Sequence, residues 1–246
     1  KIYGYALVGQ DANGNKYTSS LKVDKLYGGN NLGGNTINAN IELTRGNINT
    51  LFGGGKKAET TSANTNISNV TINEAIYGGG DEAKVDNVII NINSSVVGTN
   101  NTGAIYGGGN AAEVTTSLEL NVDKTEVNGS IYGGGNAGEV KVEAKTTITE
   151  SNITGNIYGG GNKAPVKNVN LTVSNNTTVE KNIYAGGNLG EVKEGTISKI
   201  KNTTVTESIF GGGNKATVTK DAILEINNVT SKNIYGGGDA AGLNGN

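Results

Sequence analysis

Ile105-Tyr106-Gly107-Gly108-Gly109-Asn110 recurs 26 residues later as Ile131-Tyr132-Gly133-Gly134-Gly135-Asn136, and after 26 more as Ile157-Tyr158-Gly159-Gly160-Gly161-Asn162. Working outward from these copies, an aromatic preceded by Ile or Leu and followed by glycine stands at Tyr3, Tyr27, Phe52, Tyr77, Tyr106, Tyr132, Tyr158, Tyr184, Phe210 and Tyr235. The gaps are 24, 25, 25, 29, 26, 26, 26, 26 and 25 residues, and the stretches after these aromatics supply 26 of the 40 glycines. Glycine at that density without a period signals disorder, whereas a fixed period signals stacked repeats. Between the motifs the chain alternates in short runs such as Leu118-Glu-Leu120-Asn-Val122 and Ala222-Ile-Leu224-Glu-Ile226. Thr, Val, Ile and Asn dominate and no segment keeps a helical spacing, so the runs read as strands. Leucine-rich repeats need denser Leu, and propeller blades need about 40 residues. The expected fold is all-β: a single-stranded parallel β-helix (solenoid) of about nine coils of 24–29 residues, with three short strands per coil. At ~4.8 Å per level, nine turns make a rod of roughly 43 Å.

Composition removes many functions. The 246 residues contain no Cys, His, Met or Trp, so Cys/His zinc sites, Ser-His-Asp triads, thiol nucleophiles and disulfides are out of reach. Lys plus Arg is 20 against 22 Asp plus Glu, a balance that argues against nucleic acid. Arg45 is the only arginine and falls in an expected turn. No apolar run reaches the ~18 residues of a membrane span.

The exceptions within the motif assign its positions. Directly after the aromatic, Ala185 once replaces Gly, so that place requires a small residue; three after it, Asn30 once replaces Gly, which suggests a left-handed corner. Four after it the chain runs Asn31, Lys56, Asp81, Asn110, Asn136, Asn162, Asn188, Asn214 and Asp239, a column whose amides can bond from coil to coil. Register stacking also sets Lys56 on Asp81, Lys57 on Glu82, Glu59 on Lys84 and Lys84 on Glu113. The chain reads as one solenoid over 1–246: a degenerate first coil at 1–26, regular repeats over 27–235, and the opening of a further coil at 236–246. Capping by flanking domains of a longer parent chain is expected. The long gap places an insertion at residues 97–103, and the Asn-x-Ser/Thr triplets at Asn69, Asn152, Asn176, Asn202 and Asn228 are assigned no glycan.

Three features are candidates for function. Strand alternation points Ile inward and Tyr106, Tyr132, Tyr158 and Tyr184 outward, as an aromatic strip suited to sugar rings or a protein partner; the Phe52 and Phe210 exchanges favour burial instead. Lys141, Lys167 and Lys193 stack nine residues after their aromatics, a row that invites an acidic polysaccharide or simply splays into water. Glu113 and Glu139 form a like-charged pair open to Ca²⁺ or glycoside chemistry, or to relief by Lys141. No phosphate-loop spacing and no nine-residue calcium repeat is present.

The Ile-Tyr-Gly-Gly-Gly-Asn copies resemble repeats in large surface proteins of gut and other anaerobic bacteria, and more broadly the right-handed parallel β-helix of pectate-lyase-like proteins and adhesins. The resemblance covers essentially the whole chain. It implies an extracellular, cell-surface-attached structural or adhesive segment whose partners are carbohydrate or host surface proteins. The lyases of that family use clustered Asp with Ca²⁺ and a basic residue; no matching cluster stands here, so no catalytic residue, metal or cofactor is carried over. The rival expectation is a polysaccharide-active lyase or hydrolase, and an ice-binding face ranks last because Thr is scattered.

Overall fold

In the computed structural model the chain is described at residues 22–99 and 102–245, with the backbone of Ile2–Gly4, Leu7–Gln10 and Lys16–Ser19 before them. These residues form a parallel β-solenoid of about eight turns, close to the nine expected, without a helix. A representative turn has a long strand at Val114–Asp123, a short strand at Glu126–Val127 and an aromatic strand at Gly129–Tyr132. Each pairs in parallel with its equivalent in the turns on either side, Val127 with Ile153 and Tyr132 with Tyr158. After its first Val the long strand carries a register irregularity, between Val114 and Ser117.

Inward positions of all three strands fill one apolar column. Ile105, Ile131, Ile157, Ile183 and Ile209 from the aromatic strands meet Val127, Val179, Leu120 and Leu171 from the other two walls, and all are essentially inaccessible. Burial of this kind stabilises by roughly 1.5–3 kcal/mol per large side chain, and every turn repeats it. The column also contains the hydroxyls of Thr146 and Ser198, buried and without a hydrogen-bond partner.

The corners correct one expectation. The third glycine after the aromatic is not left-handed: none of Gly55, Gly80, Gly109 and Gly135 is among the residues of positive φ. Glycine is required there by contact. A Cβ on Gly133 would stand 2.2 Å from the carbonyl oxygen of Gly159 in the next turn, and one on Gly135 would stand 2.3 Å from that of Gly138. The backbone approaches itself so closely that side chains are rare here, Ala185 at the first position and Asn30 at the third being the exceptions from Tyr27 onward. The left-handed residues lie at the opposite corner, after the long strand: Asn69, Ser94, Lys124, Glu150, Asn176, Asn202 and Asn228, with φ between 47° and 61°. Behind most of them stands a buried hydroxyl, at Ser95, Thr125, Ser151, Thr177 and Thr203. Thr125 Oγ1 donates to the Asp123 carbonyl (2.8 Å) and accepts the Ser95 N–H (3.4 Å), while its own N–H reaches Ser151 Oγ at 3.0 Å. All four triplet asparagines named above that stand at this corner (Asn69, Asn176, Asn202 and Asn228) are therefore turn residues in the left-handed conformation.

The insertion falls where expected. Nine residues separate Val97 from Tyr106, against five from Val127 to Tyr132, and the excess leaves the wall between Gly98 and Gly103, which nearly touch. Residues 100–101 of it lie outside the described residues. At the start of the chain, Ile2–Gly4 pairs in parallel with Thr36–Leu43, setting Tyr3 beside Glu42, so its backbone belongs to the long-strand wall and not to the aromatic wall. Leu7–Gln10 and Lys16–Ser19 form an antiparallel pair. Of the expected first coil, 1–26, residues 1, 5–6, 11–15 and 20–21 lie outside the described residues.

Candidate functional site: the aromatic, amide and charged columns

Nine rings from Tyr27 to Tyr235 stack face to face with centroids 4.8–5.0 Å apart and planes within 3–14° of parallel. The rings leave the apolar core, as strand alternation requires, yet they are not an open strip. Tyr158 and Tyr184 are each 4% exposed and Tyr106 is 8% exposed; Tyr132 is partly buried against the same cluster. Each ring covers the faces of its neighbours over the small residues Ala104 and Ser130. They form a second, narrow core outside the first. The faces a sugar would stack on are occupied, and edges and hydroxyls remain. Phe52 and Phe210 sit in the column as isosteric members, which explains why the hydroxyl is dispensable there.

The hydroxyls turn toward the next column. Tyr27 Oη donates to Asp81 Oδ2 at 3.2 Å and Tyr184 Oη to Asp239 Oδ2 at 3.5 Å, each two turns up the axis. Burial first, and then the facing carboxylate, pushes both phenols up to about 12. Burial likewise raises Tyr77, Tyr106, Tyr132 and Tyr158 above the ordinary phenol value.

The amide column forms as the spacing implies. Asn214 donates to Asn188, Asn188 to Asn162 and Asn162 to Asn136, each at 2.8 Å; Asn136 donates to Asn110 at 2.9 Å and Asn110 to Asp81 Oδ1 at 2.8 Å. All five point the same way, and the carboxylate of Asp81 terminates the run as an acceptor. A shorter amide run on the outer face of the long strands, Asn121 to Asn91 (2.9 Å) to Asn66 (2.7 Å), escaped sequence reading because Thr and Lys interrupt its column elsewhere.

The charged columns are largely self-neutralised. Lys57 pairs with Glu82 (3.4 Å) and Lys84 with Glu59 (3.5 Å), as register stacking anticipates. The other two anticipated pairs do not form: Lys84 turns to Asp86 at 3.4 Å instead of Glu113, and Asp81 is taken by Asn110 and Tyr27 instead of Lys56. In the lysine row, Lys141 bonds Glu113, and Lys193 reaches Glu139 two turns away at 2.6 Å, past Pro165 in the intervening turn. Lys167, exposed between them, is the cation of the three without an ion pair among the described residues. Glu113 and Glu139 line a shallow groove of about 540 Å³ floored by Ala112 and Gly138, but each has its lysine. Among the described residues no three acidic side chains converge to hold a metal ion, and no helix is long and apolar enough to cross a membrane.

Compared with known families, curated proteins and solved structures, the chain gives no match.

Proposed function

We propose that this chain is a structural and adhesive segment of an extracellular, cell-surface-attached bacterial protein, built on the right-handed, pectate-lyase-like β-helix plan that its repeats resemble. One observation supports this reading above the others: many polar and charged side chains are spent on partners in neighbouring turns, and the aromatic and amide columns repeat with little change from level to level. Catalysis needs unlike groups gathered in one place, whereas a spacer needs uniform lateral contacts. The segment holds a binding domain away from the surface and presents a repetitive flank to carbohydrate or to a host protein. On that flank Lys167, between Lys141 and Lys193, is the cation available to an acidic glycan, and Tyr106, Tyr132, Tyr158 and Tyr184 contribute ring edges.

The experiment is a glycan array run beside a depolymerisation screen on the same sample. Retention of acidic glycans that Lys167→Ala weakens, without turnover of any polysaccharide, is the expected result. Turnover abolished by Glu113→Gln would assign the chain to polysaccharide-active enzymes instead.

A further inference from the structure

The exposed apex of the glycine corner is one residue per turn, five after the aromatic, and through the middle of the rod it reads Glu82, Ala111, Ala137, Lys163, Leu189 and Lys215. Backbone bonds hold these residues one above another: the Ala137 N–H donates to the Asn110 carbonyl at 2.6 Å, Lys163 to Asn136 and Lys215 to Asn188 at 2.8 Å, and Leu189 to Asn162 at 2.7 Å. The column is therefore a fixed ridge whose height follows side-chain size. It drops at Ala111 and Ala137, beside the shallow groove that Glu82, Glu113 and Glu139 also line. It rises in the next three turns, where Leu189 stands 52% exposed between Lys163 and Lys215. Both lysines are exposed, and neither has an ion pair among the described residues. Four carboxylates line the groove against two lysines, with Lys141 and Lys193 reaching two of those carboxylates from the side. One half of the ridge is thus a notch edged with carboxylates, and the other half is an apolar knob between unpaired cations.

We propose that a second copy of this chain lies side by side and antiparallel along this ridge, with a two-fold axis crossing between the turns opened by Tyr132 and Tyr158. Such an axis reverses the order of the levels and sets the ridge against itself. Leu189 then enters the notch at Ala111 of the second copy, Lys215 meets its Glu82, and Lys163 lies over its Ala137 with Glu139 beside. The contact is isologous, so each of these pairs occurs twice and the assembly closes as a dimer. A parallel copy displaced by three turns also seats Leu189 on Ala111, but it fills one notch and leaves the other open. Only the antiparallel arrangement uses the knob and the notch of both molecules together. The facing charges fix the register. Every contact falls between the turns of Tyr77 and Phe210, inside the rod.

Sedimentation velocity of the 246-residue chain over a concentration series tests the stoichiometry, and a two-chain particle that grows with concentration is expected. Leu189→Asp puts a charge where the knob is desolvated and should weaken association about tenfold or more. The position is exposed, so circular dichroism should show the variant folded. Because the chain has no cysteine, introduced thiols report the register. With a short bis-maleimide, Glu82→Cys should link several-fold faster to Lys215→Cys than to Lys163→Cys, and Ala111→Cys faster to Leu189→Cys than to itself. A chain that stays monomeric, growth beyond two chains, a Leu189→Asp variant that associates like the parent, or preferential linking of position 82 to position 163 (the parallel arrangement) would each overturn the proposal.

Discussion

The two corners at either end of the long strand solve the same problem, reversing the chain at every level, by opposite means. The glycine corner is specified by what is absent: a Cβ on most of its glycines would meet the backbone of the same or the next turn, and only Ala185 and Asn30 depart from glycine from Tyr27 onward. The left-handed corner is specified by a backbone angle and a buried hydroxyl, and it accepts Asn, Ser, Lys or Glu at its apex. One corner is therefore sensitive to a single methyl group and the other to a single hydrogen-bonding atom.

The sharpest way to break this contrast is Gly134→Ala, at the corner glycine that no turn from Tyr27 onward replaces. Its new methyl would stand 2.5 Å from Val166 Cγ2 and 2.8 Å from the Gly161 backbone nitrogen, and overpacking there should cost about 3 kcal/mol, read as the shift in urea midpoint. At the other corner, Thr125→Val keeps the shape but strands the Ser95 N–H and leaves the Asp123 carbonyl with only the Ser94 N–H. A loss of roughly 2 kcal/mol is expected in the same assay.

Alkali acts on neither corner and so separates them from the aromatic column. Phenols raised in the fold bind their protons more tightly than in the unfolded chain. Their stabilisation is complete below the unfolded phenol value of about 10 and is lost as pH rises through the folded values, about 12 for Tyr27 and Tyr184. Stability should stay flat up to that onset and then fall by about 1.4 kcal/mol per pH unit for each phenol still protonated in the fold. Ionisation of more than four of the ten tyrosines near pH 10 without unfolding would refute the buried column, because six of them are raised by burial. The smallest effect has the opposite sign: Lys124→Gly relieves a side chain held at φ 47° and should stabilise by up to about 1 kcal/mol.

What was legible in the sequence follows from the same difference. Steric exclusion at the glycine corner leaves glycine at nearly every copy, so Gly107 to Gly109 and their copies announce the period, the register and the amide column at Asn110 to Asn214. The left-handed apex leaves no composition signal, since Ser94, Lys124 and Glu150 share only a backbone angle. The hydroxyl residue that follows each of them, Ser95, Thr125 and Ser151, was the readable trace. Alternation placed Tyr132 outside the apolar core. That its ring would be covered depends on neighbours one level away offering flat faces at 4.8 and 4.9 Å, a consequence of stacking that no single repeat contains. The pairing of Lys193 with Glu139 was hidden for a similar reason: Pro165 opens a gap that only a side chain reaching across two levels can use.

The five amides from Asn110 to Asn214 behave like a line of coupled needles. Reversing any interior one would set two donors face to face on one side and two acceptors on the other, so the line is stable only when all agree. Asp81, which can accept but never donate, settles the direction for every member. A single carboxylate near one extremity thus gives an otherwise repetitive filament a head and a tail.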